Sequence, residues 1–231
     1  MFTLDHVVPW GRSYDEYVRM FALSEADLAR TILGCGDGPA AFNAEATRRG
    51  ARVVSCDPLY RFTRAEIDGR IAATCDTVLE QARRNADQFV WGHGIASVDD
   101  LGEVRMRAMR VFLADHDAGK AAGRYVDASL PALPFGDDAF ELALCSHFLF
   151  LYSAQFDEAF HRASIRELCR VAREVRIFPL LALAGTRSPF VEACVADARA
   201  SGRDVSIRSV DYEFQRGGSE MLRLARGPAA A

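Results

Sequence analysis

Apolar positions in this chain fall in short unbroken runs separated by longer stretches with a helical repeat, a rhythm that predicts strands alternating with helices. Residues 30–34, 52–57, 125–126, 141–145 and 175–178 read as strands. The run from Glu141 to Cys145 has the continuous apolar character of a strand covered on both faces. Phe156 to Ala172 keeps Ile165, Leu168, Cys169 and Ala172 on one helical face. Ser188 reads as the cap of a further helix with Pro189 in its first position, Val191, Cys194, Val195 and Ala198 on its inner stripe, and Gly202 at its end. Val205 to Phe214 and Glu220 to Leu224, joined through Gly217 and Gly218, predict a closing antiparallel hairpin.

Two stretches depart from this rhythm. Ahead of the first strand, Ser13 with Glu16 and Ser24 with Asp27 each place an acceptor three residues after a capping hydroxyl. They predict two short helices, an N-terminal cap over residues 1–28. After Asp57, Thr63 with Glu66 opens another helix, Val78, Leu79, Ala82, Ala86, Phe89 and Val90 keep helical spacing, and Leu101 to Asp117 reads as a second. Residues 61–120 therefore form a helical insertion between the second and third strands, within a single domain spanning 1–231. Shaping a substrate pocket and padding the sheet edge are both open as its role.

The first strand and turn carry the chemistry. Gly34, Gly36 and Gly38 alternate after an apolar strand, which allows a tight bend and lets backbone N–H groups approach a ligand with no Cβ in the way. Pro39 fits the first position of a helix, where its missing N–H costs nothing. Asp57 ends the second strand 23 residues after Gly34, near the roughly 20-residue spacing expected of a carboxylate that accepts from ribose hydroxyls. A dinucleotide fingerprint would need a third glycine at position 39, and proline stands there.

This turn resembles motif I of the class I S-adenosylmethionine (SAM) dependent methyltransferases, and the run of βα units closed by a hairpin resembles their strand programme. A second block, Asp127 to Glu141 with Leu133-Pro-Phe135 inside it, is similar to the small-molecule members, with Glu141 where an Asp is usual. The resemblance covers residues 28–225 apart from the insertion. It implies a Rossmann-like α/β fold: a seven-stranded, mostly parallel sheet with helices on both faces. It also implies SAM as cofactor, held by Gly34, Cys35, Gly36, Gly38, Asp57, Pro58, Asp127, Ala128 and Ser146, with Asp127 accepting from the adenine amino group. Asp127 is otherwise a cap of the following turn, and Leu59 and Leu130 are either walls for the adenine or core residues. Many members carry an acid two places before the first glycine; Ile32 stands there, leaving Asp37 either to supply that carboxylate or to face solvent from the turn.

Three other residues enter on their own chemistry. Arg12, beside Trp10 and Gly11 in the cap, is either a fork for the carboxylate of the cofactor or of an acidic substrate, or a surface residue next to a packing Trp. His147, directly after the fourth strand, is either the catalytic base or a hydrogen-bonded core residue. His161, inside a helix, reads as structural. Tyr212, Phe214 and Arg216 lie near the hairpin tip, as substrate contacts or as a plain turn.

Composition narrows the partners. With 28 Lys and Arg against 32 Asp and Glu, the net charge is −4 and no basic run stands out, which argues against a nucleic-acid partner. Six scattered cysteines, at 35, 56, 75, 145, 169 and 194, offer no zinc spacing and read as buried reduced thiols, so no metal is expected. No export signal and no apolar stretch of about 18 residues appears, so a cytoplasmic protein with no membrane partner is expected. The expectation is methyl transfer to a small-molecule acceptor. Aminocarboxypropyl transfer from the same cofactor, a non-catalytic SAM-binding domain and a nicotinamide-dependent oxidoreductase stay open, as do the acceptor atom and the oligomeric state.

Overall fold

The computed structural model describes residues 7–92 and 94–227. Seven strands form one sheet: β1 (Thr31–Cys35), β2 (Arg52–Cys56), β3 (Tyr125–Val126), β4 (Phe140–Ser146), β5 (Ala172–Phe178), β6 (Arg203–Ser209) and β7 (Glu220–Arg226). Their order is β3-β2-β1-β4-β5-β7-β6, parallel except for β7, which runs antiparallel to both neighbours. This is the Rossmann-like α/β sheet that the alternating pattern predicts. In β1, Leu33 and Cys35 face a core built with α6 (Glu158–Val171) and α7 (Val191–Ala200), whereas Ile32 faces α1 (Tyr14–Met20) and α3 (Phe42–Arg48). The period-2 alternation of the strand thus supplies one apolar set to each helical layer. No described helix is long and apolar enough to cross a membrane.

The two helices of the cap open where their capping boxes predict, and residues 1–6 of the expected cap lie outside the described residues. Ser13 opens α1 and Ser24 opens α2 (Glu25–Leu28), each with the reciprocal bond from residue N3. The cap lies directly on the glycine turn: a Cβ added to Gly11 would stand 2.0 Å from the carbonyl oxygen of Pro39. The Ala41 N–H donates to the Arg12 carbonyl at 2.9 Å. That bond satisfies one of the free N–H groups at the start of α3, which has no side-chain cap.

Residues between β2 and β3 form α4 (Arg64–Arg84, opened by the Thr63 capping box) and α5 (Val98–Ala121), which pack on one another. Tyr60, Ile67, Ile71, Met109 and Phe112 close a separate core there against Tyr125 of β3. The helical spacing through Phe89 and Val90 does not continue as helix. Ala86–Gln88 is a 3-10 turn, and Phe89 leaves it extended to meet the segment between β6 and β7.

The closing antiparallel pair forms as expected, but its first strand is shorter and its connection longer. β6 stops at Ser209, paired with Glu220, and residues 210–219 leave the sheet. Phe214 stacks on Phe89 with ring centroids 4.8 Å apart, Val90 N–H donates to Phe214 O at 2.8 Å, and Arg216 N–H donates to Gln88 O at 2.8 Å. Burying Tyr212 and Phe214 against other elements outweighs continuing the ladder, so the Gly217-Gly218 pair closes a long loop in place of a tight turn. Two helix starts also shift. Pro39 belongs to the turn, because the chain needs residues 36–41 to bend before α3 begins. Pro189 precedes a helix that starts at Val191, because Ser188 Oγ takes the Phe190 N–H and its carbonyl takes that of Val191.

One buried carboxylate joins the cap, the insertion and this loop. Glu16 of α1 accepts from the Ser13 N–H at 2.9 Å and from the Tyr212 hydroxyl at 2.7 Å, and pairs with the fully buried guanidinium of Arg105 on α5. Burial pushes its pKa up, but the charges of Arg105 and then Arg12 outweigh that and bring it to about 2. Removing one partner of such a pair strands the other charge in the interior, so Glu16→Gln is expected to cost about 3–5 kcal/mol in denaturant unfolding. A loss of under about 1 kcal/mol, the range of an exposed pair, would show that the contact does not hold the roof.

Candidate functional site

A cavity of about 700 Å³ lies at the carboxyl ends of β1, β2 and β4, under the cap, the insertion and the 210–219 loop. Its floor is the glycine turn. Gly36 (φ +67°) and Gly38 (φ +51°) adopt left-handed backbone that other residues enter at a cost. Gly36 also lacks room: its Cβ would lie 2.8 Å from the Phe148 ring. The turn is fastened to β2, since Gly36 N–H donates to Cys56 O at 3.0 Å and Gly38 N–H donates to Asp57 Oδ2 at 2.9 Å. Asp57 Oδ1 accepts from Leu59 N–H at 2.8 Å. Burial raises the Asp57 pKa and these two N–H bonds draw it back. The carboxylate therefore faces the bend, with an open lone pair on each oxygen.

Asp37 is a buried member of this floor. A Cβ on Gly34 would stand 1.8 Å from Asp37 Oδ2, so this glycine makes room for the carboxylate to fold back over β1. Oδ1 accepts from Tyr17 Oη at 2.8 Å and Oδ2 from Ser55 Oγ at 2.7 Å. Asn43 Nδ2 donates to Ser55 Oγ at 3.1 Å, which commits the serine proton to Asp37. Burial raises the Asp37 pKa to about 6, although both hydroxyl donors pull the other way. No cation pairs with it among the described residues.

Arg12 also lines the cavity and is not a surface residue. Its Nη1 donates to Trp10 O at 3.2 Å, while its buried Nε meets no acceptor among the described residues. Burial, then repulsion from Arg105, lowers its pKa. His147 stands at φ +50°, held there by its N–H donating to Phe178 O at 2.7 Å and by its ring lying edge-on to Phe178. Its Nδ1 is 3.0 Å from Ser146 Oγ, and no hydrogen bond from a described residue reaches Nε2. Burial first, then the charges of Arg12 and Arg105, hold it well below its usual 6.5, so the ring is neutral at pH 7.

No family model matches the chain. Over 224 residues it is 33% identical to the uncharacterized protein MJ0045 of Methanocaldococcus jannaschii, covering 96% of this chain and 98% of the relative. The chain belongs to that family. Among solved structures it is similar to magnesium protoporphyrin IX methyltransferase from Synechocystis PCC 6803 with bound SAM, at 11% identity and a TM-score of 0.46, over 88% of this chain and 73% of that one. It is also similar to mitomycin 7-O-methyltransferase, at 13% identity and a TM-score of 0.49, over 93% of this chain and 54% of that one. The strand order, with β7 antiparallel between β5 and β6, is that of a mostly parallel Rossmann-like α/β sheet.

Of the residues singled out from the sequence, the fold gathers Arg12, Cys35, Gly36, Gly38, Asp57, Pro58, Ala128, Ser146 and His147 around this one cavity, along with Leu59, Leu130, Phe214 and Asp37. Gly34, Asp127, Tyr212 and Arg216 stand outside the lining. Gly34 lies behind Asp37, Tyr212 donates to Glu16, and Arg216 Nε donates to Asp87 O at 3.2 Å. The Asp127 carboxylate lies 3.5 Å from the exposed guanidinium of Arg61, and its charge adds to the burial that raises the pKa of Asp57. His161 is structural, its ring nitrogens 2.7 and 2.9 Å from the carbonyl oxygens of Asp157 and Leu149. Tyr17 and Arg105 were not legible as site residues, although Arg105 follows Leu101 by four and precedes Ala108 by three, on the buried stripe of α5.

The Asp37 geometry has a pH signature. The folded protein keeps the Asp37 proton up to about pH 6, whereas the unfolded chain releases it near 3.8. Between those values the native state binds more protons, so this residue's contribution to stability is full below about pH 4 and is lost as the pH rises through 6. Asp37→Asn is expected to flatten that part of the stability profile by up to about 3 kcal/mol, read as the wild-type minus variant difference in unfolding free energy from pH 4 to 7. Identical slopes for the two proteins would place the carboxylate in water.

Proposed function

We propose that this protein is a SAM-dependent methyltransferase acting on a small-molecule acceptor. The observation that carries the reading is the pair Arg12 and Asp37. A guanidinium and a carboxylate line one cavity at its glycine turn, both withdrawn from water, and neither is ion-paired within the described residues. An α-amino acid group offers the opposite charges to both. Beside them Asp57 has acceptor capacity for ribose hydroxyls, and Pro58, Leu59, Ala128 and Leu130 form a mostly apolar wall suited to adenine. Ribose, purine and amino-acid tail together match SAM, which when bound supplies an electrophilic methyl carbon on its sulfonium.

On this reading the backbone of Gly36 and Gly38 lies under the amino-acid tail, Arg12 takes its carboxylate in a forked geometry, and Asp37 supplies the acid missing at Ile32. Asp57 orients the ribose. Orientation is the main catalytic contribution of these residues, because holding reactants in line at near contact is worth effective molarities of about 10⁵ M or more. His147, neutral and open at Nε2, accepts the proton when the acceptor arrives protonated.

Calorimetry with S-adenosylhomocysteine, 5′-methylthioadenosine and adenosine tests this. Asp57→Ala is expected to weaken all three by about tenfold or more, the loss of a charge-assisted hydrogen bond. Arg12→Gln is expected to weaken only S-adenosylhomocysteine, which alone has the amino-acid tail. Equal affinity of the wild-type protein for S-adenosylhomocysteine and 5′-methylthioadenosine would remove the basis of the proposal.

A further inference from the structure

The cavity has two chemically unlike ends. Among the described residues its acidic lining is Asp37 and Asp57, both at the glycine-turn end. At the other end the walls are Phe148, Phe156 and Phe160 from the chain after β4, Phe89 and Leu101 from the insertion, and Phe214 from the 210–219 loop. The rings are packed on each other: Phe156 stacks on Phe160 at 4.3 Å, Phe148 stands edge-on to both at 5.5 and 6.5 Å, and Phe89 stacks on Phe214. Phe148 touches Gly36, so this apolar wall begins where the glycine turn ends.

This end offers few hydrogen bonds. Gln215 Nε2 is committed to the carbonyls of Ala182 and Leu183, both at 3.2 Å, and Tyr152 Oη accepts from Val8 N–H at 3.4 Å. A molecule rich in polar groups would leave them unpaired there, at about 1–3 kcal/mol each. A protonated amine would be stripped of water with no carboxylate to receive it. A carboxylate would have to pair with Arg70, which lies at the exposed surface of α4 with its guanidinium 3.7 Å over the Phe62 ring. With Nδ1–H donating to Ser146 Oγ, His147 Nε2 is an open acceptor at the junction of the two ends.

We propose that the acceptor is an uncharged, predominantly apolar molecule that sits among these phenylalanines and presents one hydroxyl to His147 Nε2. This rests on the reading of the glycine-turn end as the SAM site. In the transfer, an oxygen lone pair of the acceptor forms the new O–C bond as the C–S bond of the sulfonium breaks, with its electron pair going to sulfur. The hydroxyl proton passes to His147 Nε2 and then to solvent, so charge and atoms balance with no further reactant.

The test is calorimetry on the protein saturated with S-adenosylhomocysteine, using 4-butylphenol, 4-butylbenzoate and 4-butylbenzylamine as probes that share one apolar body. The phenol is expected to bind about tenfold or more tightly than either charged probe. Phe160→Ser is expected to remove most of that affinity while leaving S-adenosylhomocysteine binding within about twofold. Leu101→Ser, on the opposite wall, gives the same readout if Phe160→Ser lowers the melting temperature. Equal or tighter binding of a charged probe, or no binding of the phenol to protein that holds S-adenosylhomocysteine, overturns the proposal. Phenol binding in a protein that does not take S-adenosylhomocysteine would keep the acceptor class and sink the methyltransferase reading.

Discussion

The carboxylate of Glu16 is shared by chain segments that no strand ladder joins: α1 itself, Arg105 of α5 and Tyr212 of the loop after β6. The sheet is held by hydrogen-bond registers and two apolar cores, whereas this ionic centre ties together the elements of the enclosure above it. A buried pair of this kind gains little net stability over an apolar equivalent, because both charges lose their water. What it fixes is position. It also leaves a residue of charge, since Arg12 adds a second guanidinium near a carboxylate that already pairs with Arg105. Burial first, and then that excess positive potential, keeps His147 neutral and lowers the pKa of Arg12, which is left in demand of an anion.

The cap reaches the floor of the cavity by a second route. Tyr17, one residue after Glu16, donates to Asp37, while Gly11 lies flat against the Pro39 carbonyl. α1 is therefore both lid and floor support. The same seven-residue helix sets the polarity at the glycine turn and anchors the roof over the apolar end. Gly34 belongs to this arrangement although it touches no ligand surface, because the missing side chain is the space that Asp37 fills.

Much of the sheet is legible in the amino-acid sequence, because apolar strands flanked by turn residues are local signals. The capping boxes at Ser13, Ser24 and Thr63 are equally local, and each opens a helix where it predicts one. The glycine turn with Asp57 is readable because backbone geometry demands glycine and the two strands are adjacent in the sheet. Asp37 is ambiguous in sequence, since its burial depends on Tyr17 arriving from the cap and on the absent Cβ at position 34. Arg105 is hidden for the same reason: its partner lies 89 residues earlier. The 210–219 segment is misread as strand and tight turn because alternating Tyr212 and Phe214 look like a ladder, and only the aromatic surface of the insertion explains why they leave it. Asp127 shows the reverse, a motif residue that ends half-exposed beside Arg61.

The three segments that meet at Glu16 are separated by most of the chain, and contacts of such long sequence separation are the costliest to close. Closure over the ligand chamber rests on side-chain contacts among three elements that no strand ladder joins, and regions held in this way are the ones that open in partial fluctuations of the native state. Traffic in and out of the chamber then needs no hinge: it can use fluctuations in which α5 and the loop part from α1 while the strands beneath stay intact.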